Sequence, residues 1–180
     1  MRKRKVFAST KSLTLMAMLV AMSVVIGIFC KSVLDFGGVF RVTFENLPII
    51  LAGMVFGPIT GGIVGLSSDI ISYLLSGQAY PLNPVVTLGA VSVGIISGLI
   101  AKYVVKRRGY MQIAICEVTS HLIGSMIIKP IGLYAFYQWA VLWRIPIYLG
   151  IIPAEIVLLS LLYKNSGFRR LITDIDKEKL

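Results

Sequence analysis

RVTFENLPIILAGMVFGPITGGIVGLSSDIISYLLSGQAYPLNP, residues 41–84, decides how the rest of this chain is read. Two apolar segments, 47–56 and 59–75, meet with almost no loop; Gly57-Pro58 separates them, and such a pair signals a turn. Glycine recurs at Gly57, Gly61 and Gly65, and an acid, Asp69, lies inside the second segment. Arg41, Phe44, Glu45 and Asn46 flank one end; Tyr80, Pro81 and Asn83 flank the other. Apolar walls carrying a few placed polar groups are the chemistry of a small-molecule site inside a membrane protein.

Outside this stretch the apolar residues also come in long runs. The chain has 180 residues, 57% of them hydrophobic, where soluble domains hold about 45–50%. Its mean hydropathy is +0.86. This predicts an all-α integral membrane protein forming a single domain over 1–180, with no cleavable signal peptide. Six spans are expected: 12–30, 47–56, 59–75, 85–105, 111–128 and 145–163. The second is too short to cross alone, since about 20 residues are needed, and is expected to sit in the bundle interior. Ala17 and Ala21 in the first span, and Gly94 and Gly98 in the fourth, are small residues four apart, which lets helices approach closely.

The net charge of +10 does not point to nucleic acid, because the cations sit in short blocks between apolar runs. Five lie in the leader 1–11, four at 102–108 and five from Lys164 through the tail 165–180, whereas the intervening loops hold only Lys31, Arg41, Lys129 and Arg144. The positive-inside rule puts both termini in the cytoplasm and the loops 31–46, 76–84 and 129–144 outside. Cys30 and Cys116 are isolated and read as packing residues.

Asp69 in mid-span serves either a hydrogen bond within the bundle or ligand recognition, and Tyr73 lies one turn beyond it on the same face. Arg41 and Arg144 at span ends suit capture of a carboxylate, which guanidinium pairs bidentately; Lys129 is a point-charge alternative. Tyr134, Phe136, Tyr137, Trp139 and Trp143 crowd the 129–144 segment, as interfacial anchors or as the wall of a site. Glu117 and His121, four apart, are half of a metal site and read as a hydrogen-bonded core pair, so no metal is expected. There is no P-loop, no GxSxG and no nucleophile with a base, so no catalytic residue, no cofactor and no enzyme is expected.

The stretch Phe44-Glu-Asn-Leu-Pro48-Ile-Ile-Leu-Ala-Gly53-Met-Val-Phe-Gly57-Pro58, continuing to Gly65-Leu-Ser-Ser-Asp69, resembles the S components of energy-coupling factor (ECF) vitamin transporters. Length, span number, basic start and Ala17-xxx-Ala21 extend the resemblance over nearly the whole chain. Arg41 before the stretch and Gly77-Gln-Ala-Tyr80-Pro81 after it are most similar to the folate-specific branch. The resemblance implies the S-component fold in a prokaryotic plasma membrane. It also implies high-affinity capture of folate from outside, with delivery inward by a transmembrane coupling protein and two cytoplasmic ATPases. Ala17 and Ala21 would contact the coupling protein.

A folate ligand would pair its pterin edge with Asp69 and Asn83, stack on Tyr80, Tyr134 or Trp139, and present its glutamate to Arg41, Arg144 or Lys129. Phe44, Asn46, Tyr73 and Pro81 complete the expected substrate site. Another vitamin, such as thiamine, riboflavin or pantothenate, is the alternative within the class. A small polytopic membrane enzyme or a scaffold are the alternatives outside it.

Overall fold

The computed structural model describes residues 10–36, 40–75, 82–105 and 109–179, and these are helical apart from one two-residue ladder and short connections. Helix α1 (Thr10–Val33) leads to β1 (Asp35–Phe36), which pairs antiparallel with β2 (Phe40–Arg41). Then come α2 (Asn46–Phe56), α3 (Pro58–Leu75) and α4 (Pro84–Leu99), the last extended by a π turn over Ile100–Val104. Helix α5 (Tyr110–Ser120) widens to a π segment (His121–Ile128) and runs on into α6 (Lys129–Tyr137). A 3-10 turn (Gln138–Trp143) precedes α7 (Arg144–Lys164) and α8 (Ser166–Lys179).

Local chemistry sets the joints. Gly57 adopts φ +102°, open to glycine and strained for other residues, and Pro58 then starts α3 with its φ already suited to a helix. Asn83 caps α4: its side chain accepts the Val85 N–H at 3.0 Å, with Pro84 at the first helical position. Every residue of α2 except Leu47 is buried, which places this segment inside the bundle as its apolar sequence implies. A Cβ on Gly61 would fall on the Gly94 carbonyl oxygen, and one on Gly98 would fall on the Pro58 backbone. Helices α2, α3 and α4 therefore cross backbone to backbone.

Four stretches are long and apolar enough to cross a membrane: Thr10–Val33, Pro58–Leu75, Pro84–Val104 and Tyr110–Lys164. The last has 55 residues, about 80 Å at 1.5 Å per residue, enough for two crossings. It folds back on itself, since His121 meets Glu155 and Tyr137 shares a cavity with Arg144. Leu13, Met18, Val25 and Phe29 of α1 and Leu149, Val157 and Leu161 of α7 are among the apolar side chains turned outward. Hydrocarbon is the natural solvent for such a belt.

Two segments differ from their sequence reading. Residues 129–144, expected as a loop, form α6 and a 3-10 turn. The helix absorbs Pro130 just after its π segment, as membrane helices can. The polar tail 165–180 holds α8, whose Phe168, Ile172 and Ile175 recur at helical spacing and pack on the core, Phe168 edge-on to Tyr163 at 5.6 Å.

Candidate functional site

A cavity opens at one end of the bundle, where the C-terminal ends of α1 and α3 meet the N-terminal ends of α2, α4 and α7 and the length of α6. It leaves about 90 Å³ for the centres of water-sized molecules. Its charged lining is Lys31, Lys129 and Arg144 against Glu45 and Asp69, one more cation than acids. Tyr73, Phe136, Tyr137 and Tyr148 supply aromatic surface, and Ile49, Val86 and Leu133 supply apolar wall.

Each charged group is held differently. Asp69 Oδ2 accepts a 2.7 Å hydrogen bond from Thr87 Oγ1, which ties α3 to α4 and fixes the carboxylate at the cavity wall. Lys129 is 4% exposed; its Nζ donates to Asn46 Oδ1 at 3.0 Å and lies 3.6 Å from Glu45 Oε1. Arg144 Nε is buried without a hydrogen-bond partner, as is Ser68 Oγ, another group of the lining. Buried donors are seldom left unmade, so both are suited to an acceptor that enters the cavity.

Of the residues singled out in the sequence, Asp69, Tyr73, Asn83, Lys129 and Arg144 share this cavity. The Asn83 amide is already engaged on both sides: its oxygen caps α4 and its nitrogen donates to Gly132 O at 2.6 Å. Asn46 lies one layer behind the wall, fully buried, and reaches the cavity through Lys129. Phe44 is half-buried outside the lining. Tyr134 and Trp139 also stand outside it, packed edge to face on each other at 5.7 Å, with Trp139 72% exposed. Tyr80, Pro81 and the side chain of Arg41 lie outside the described residues. Ala17 and Ala21 are exposed on α1.

Glu45 and Tyr148 carry no specific ligand-binding signal in the sequence, and Phe136 and Tyr137 stand there only among five aromatics that could wall a site. A sharper signal for Phe136 and Tyr137 does exist: with Leu133 they follow Lys129 at helical spacing, which emerges once 129–137 is read as a helix. The Glu117–His121 pair also gains a third member, since Glu155 of α7 places Oε2 2.5 Å from His121 Nε2.

The family model for the ECF transporter substrate-specific component matches residues 11–169. A solved structure described as "Crystal structure of FolT bound with folic acid" is similar to this chain with a TM-score of 0.68 and 23% identity, covering 88% of this chain and 95% of that one. No curated protein sequence matches the chain. The structural likeness shows the S-component fold, and the family match over residues 11–169 makes this a transport protein rather than an enzyme. The chain belongs to the substrate-specific components of ECF transporters.

Proposed function

We infer that this chain captures folate, or a vitamin of the same flat-ring-plus-carboxylate design, at the outer membrane face. A coupling protein and two ATPases then drive its release inward. The carrying observation is that one cavity offers both signs of charge: Lys129 and Arg144 on α6 and α7 together with Asp69, held by Thr87 across α3 and α4. A pterin edge offers adjacent N–H donors to a carboxylate such as Asp69, and its face suits Tyr73, Tyr137 or Tyr148. The glutamate carboxylates suit Arg144 and Lys129. The similar fold of a FolT bound with folic acid supports the same ligand. The Lys/Arg distribution supports six crossings, cytoplasmic termini and an outward cavity, and membership of the family supports a prokaryotic plasma membrane.

Calorimetric titration of the detergent-purified protein with folate, thiamine, riboflavin and pantothenate tests the reading. Saturable folate binding near nanomolar, about −12 kcal/mol, with the other three far weaker, is the expected result. Tight binding of thiamine instead, its cation drawn to Asp69 and Glu45, would keep the family and overturn the ligand.

A further inference from the structure

Behind the cavity, at the core of the bundle, lies a cluster that the vitamin site does not use. Glu117 and His121 on the α5 run and Glu155 on α7 are each 0% exposed. His121 Nε2 sits 2.5 Å from Glu155 Oε2 and 3.3 Å from Glu117 Oε2. The three candidate ligand atoms lie within 4.8 Å of one another. Both Glu117 oxygens lack a hydrogen-bond partner, although the side chain is buried and converges on the same point.

Charge accounting shows what is missing. Among the described residues no Lys or Arg pairs with either carboxylate. Two carboxylates against one imidazolium leave a net negative charge in a fully buried place, a state that costs several kcal/mol in proteins. Two arrangements neutralise it. One adds a second proton, on a carboxylate. The other places a doubly charged cation between two carboxylates and a neutral imidazole. The second proton would make Glu117 or Glu155 an O–H donor to the other carboxyl, since both sit in the same cluster. The three groups face a common centre, as metal ligands do.

We propose that Glu117, His121 and Glu155 form a divalent-cation site, with Zn²⁺ the ion it suits best. Imidazole nitrogen and carboxylate oxygen are both zinc ligands, and the imidazole disfavours the all-oxygen ions Mg²⁺ and Ca²⁺. The far side of the imidazole is also arranged for it. His121 Nδ1 lies 3.2 Å from Ser125 Oγ, which fixes the ring and presents Nε2 to the centre, the outer-shell support that metal-bound histidines have. At metal–ligand distances of about 2.0–2.2 Å, neighbouring ligand atoms stand about 3.4 Å apart, so loading opens the His121–Glu155 pair by about 1 Å.

The site is also wired to the cavity. Ser125 Oγ accepts from Asn46 Nδ2 at 3.3 Å, and Asn46 Oδ1 accepts from Lys129 Nζ at 3.0 Å. The Tyr148 ring packs on His121 at 5.3 Å and also lines the cavity. The ion thereby braces the floor on which Lys129 and Tyr148 stand.

The test is elemental analysis of the full-length protein, purified in detergent from cells grown with added zinc and passed through a desalting column. About one Zn²⁺ per chain is expected, falling below about a tenth in Glu117→Gln and His121→Gln. Cobalt-grown protein should show visible d–d absorption that those variants lose. Wild-type protein that folds yet carries less than about a tenth of an equivalent of any divalent ion overturns the proposal and leaves the two-proton arrangement. Metal retained equally by both variants overturns it as well. If the variants do not fold, the wild-type content and its cobalt spectrum decide alone.

Discussion

Arg144→Ala separates the two ends of the bound vitamin. Arg144 opens α7 at the cavity wall, and its buried Nε has no hydrogen-bond partner among the described residues. A glutamate carboxylate of folate would supply one. Charge-assisted hydrogen bonds contribute about 1.5–3 kcal/mol net, so truncation should weaken folate roughly 10- to 150-fold. A pterin without the aminobenzoyl-glutamate never reaches this group, and its affinity should change less than about twofold. Because the variant breaks no hydrogen bond at Nε, the melting temperature without ligand should hold within a few degrees. Calorimetry with both ligands, on wild type and variant, reads the difference directly. Equal losses for folate and for the bare pterin would refute the assignment, because they would mean that Arg144 shapes the cavity rather than meeting the anion.

Lys129→Met removes the donor to Asn46 Oδ1 in a buried setting, which should cost about 1–3 kcal/mol of stability and weaken folate as well; an unshifted thermal melt would contradict the anchoring. Gly94→Ala drives a Cβ into the Gly61 carbonyl, so α3 and α4 must part, and overpacking of this kind costs about 1–3 kcal/mol or more; thermal unfolding in detergent that matches wild type would disprove the backbone crossing. Ala21→Trp, on an exposed face of α1 outside the cavity lining, should leave folate binding intact while abolishing copurification with the coupling protein; assembly at wild-type yield would remove this face from the interface.

The central frame was legible because its signals are local. Residues 47–56 carry no charged side chain and are too short to cross alone, which implies an interior segment, and Gly57-Pro58 marks its turn. Asp69 announced itself as an acid in an apolar run, and the structure places it at the cavity wall. What escaped the sequence depends on distant partners or on helix phase. Lys129 reads in the sequence as a point charge for a carboxylate, but only the fold brings it to Asn46, 83 residues away. Glu155 looked isolated until α7 folded back over 34 residues to meet His121. Pro130 disguised α6 as a loop, and with the helix hidden nothing distinguished Phe136 and Tyr137, which face the cavity, from Tyr134 and Trp139, which do not.

The way Lys129 is held explains how a buried cation can remain useful to a ligand. An ammonium fully paired with a carboxylate in an apolar wall would be neutralised, and an incoming anion would have to break that pair. Here Glu45 pairs with the ammonium only from 3.6 Å, beyond a normal hydrogen bond, while the nearer partner, the neutral Asn46 amide at 3.0 Å, orients it and leaves N–H donors for a ligand. Asn46 is itself fixed on its other side by Ser125, so the ammonium is positioned before any ligand arrives. Replacing the amide by a carboxylate would pair Lys129 twice over. Asn46→Asp should therefore preserve the fold and depress folate affinity as strongly as removing the lysine charge does. If Asn46→Asp bound folate as well as wild type, the ammonium would not be the group that meets the anion, and Arg144 would carry that role alone.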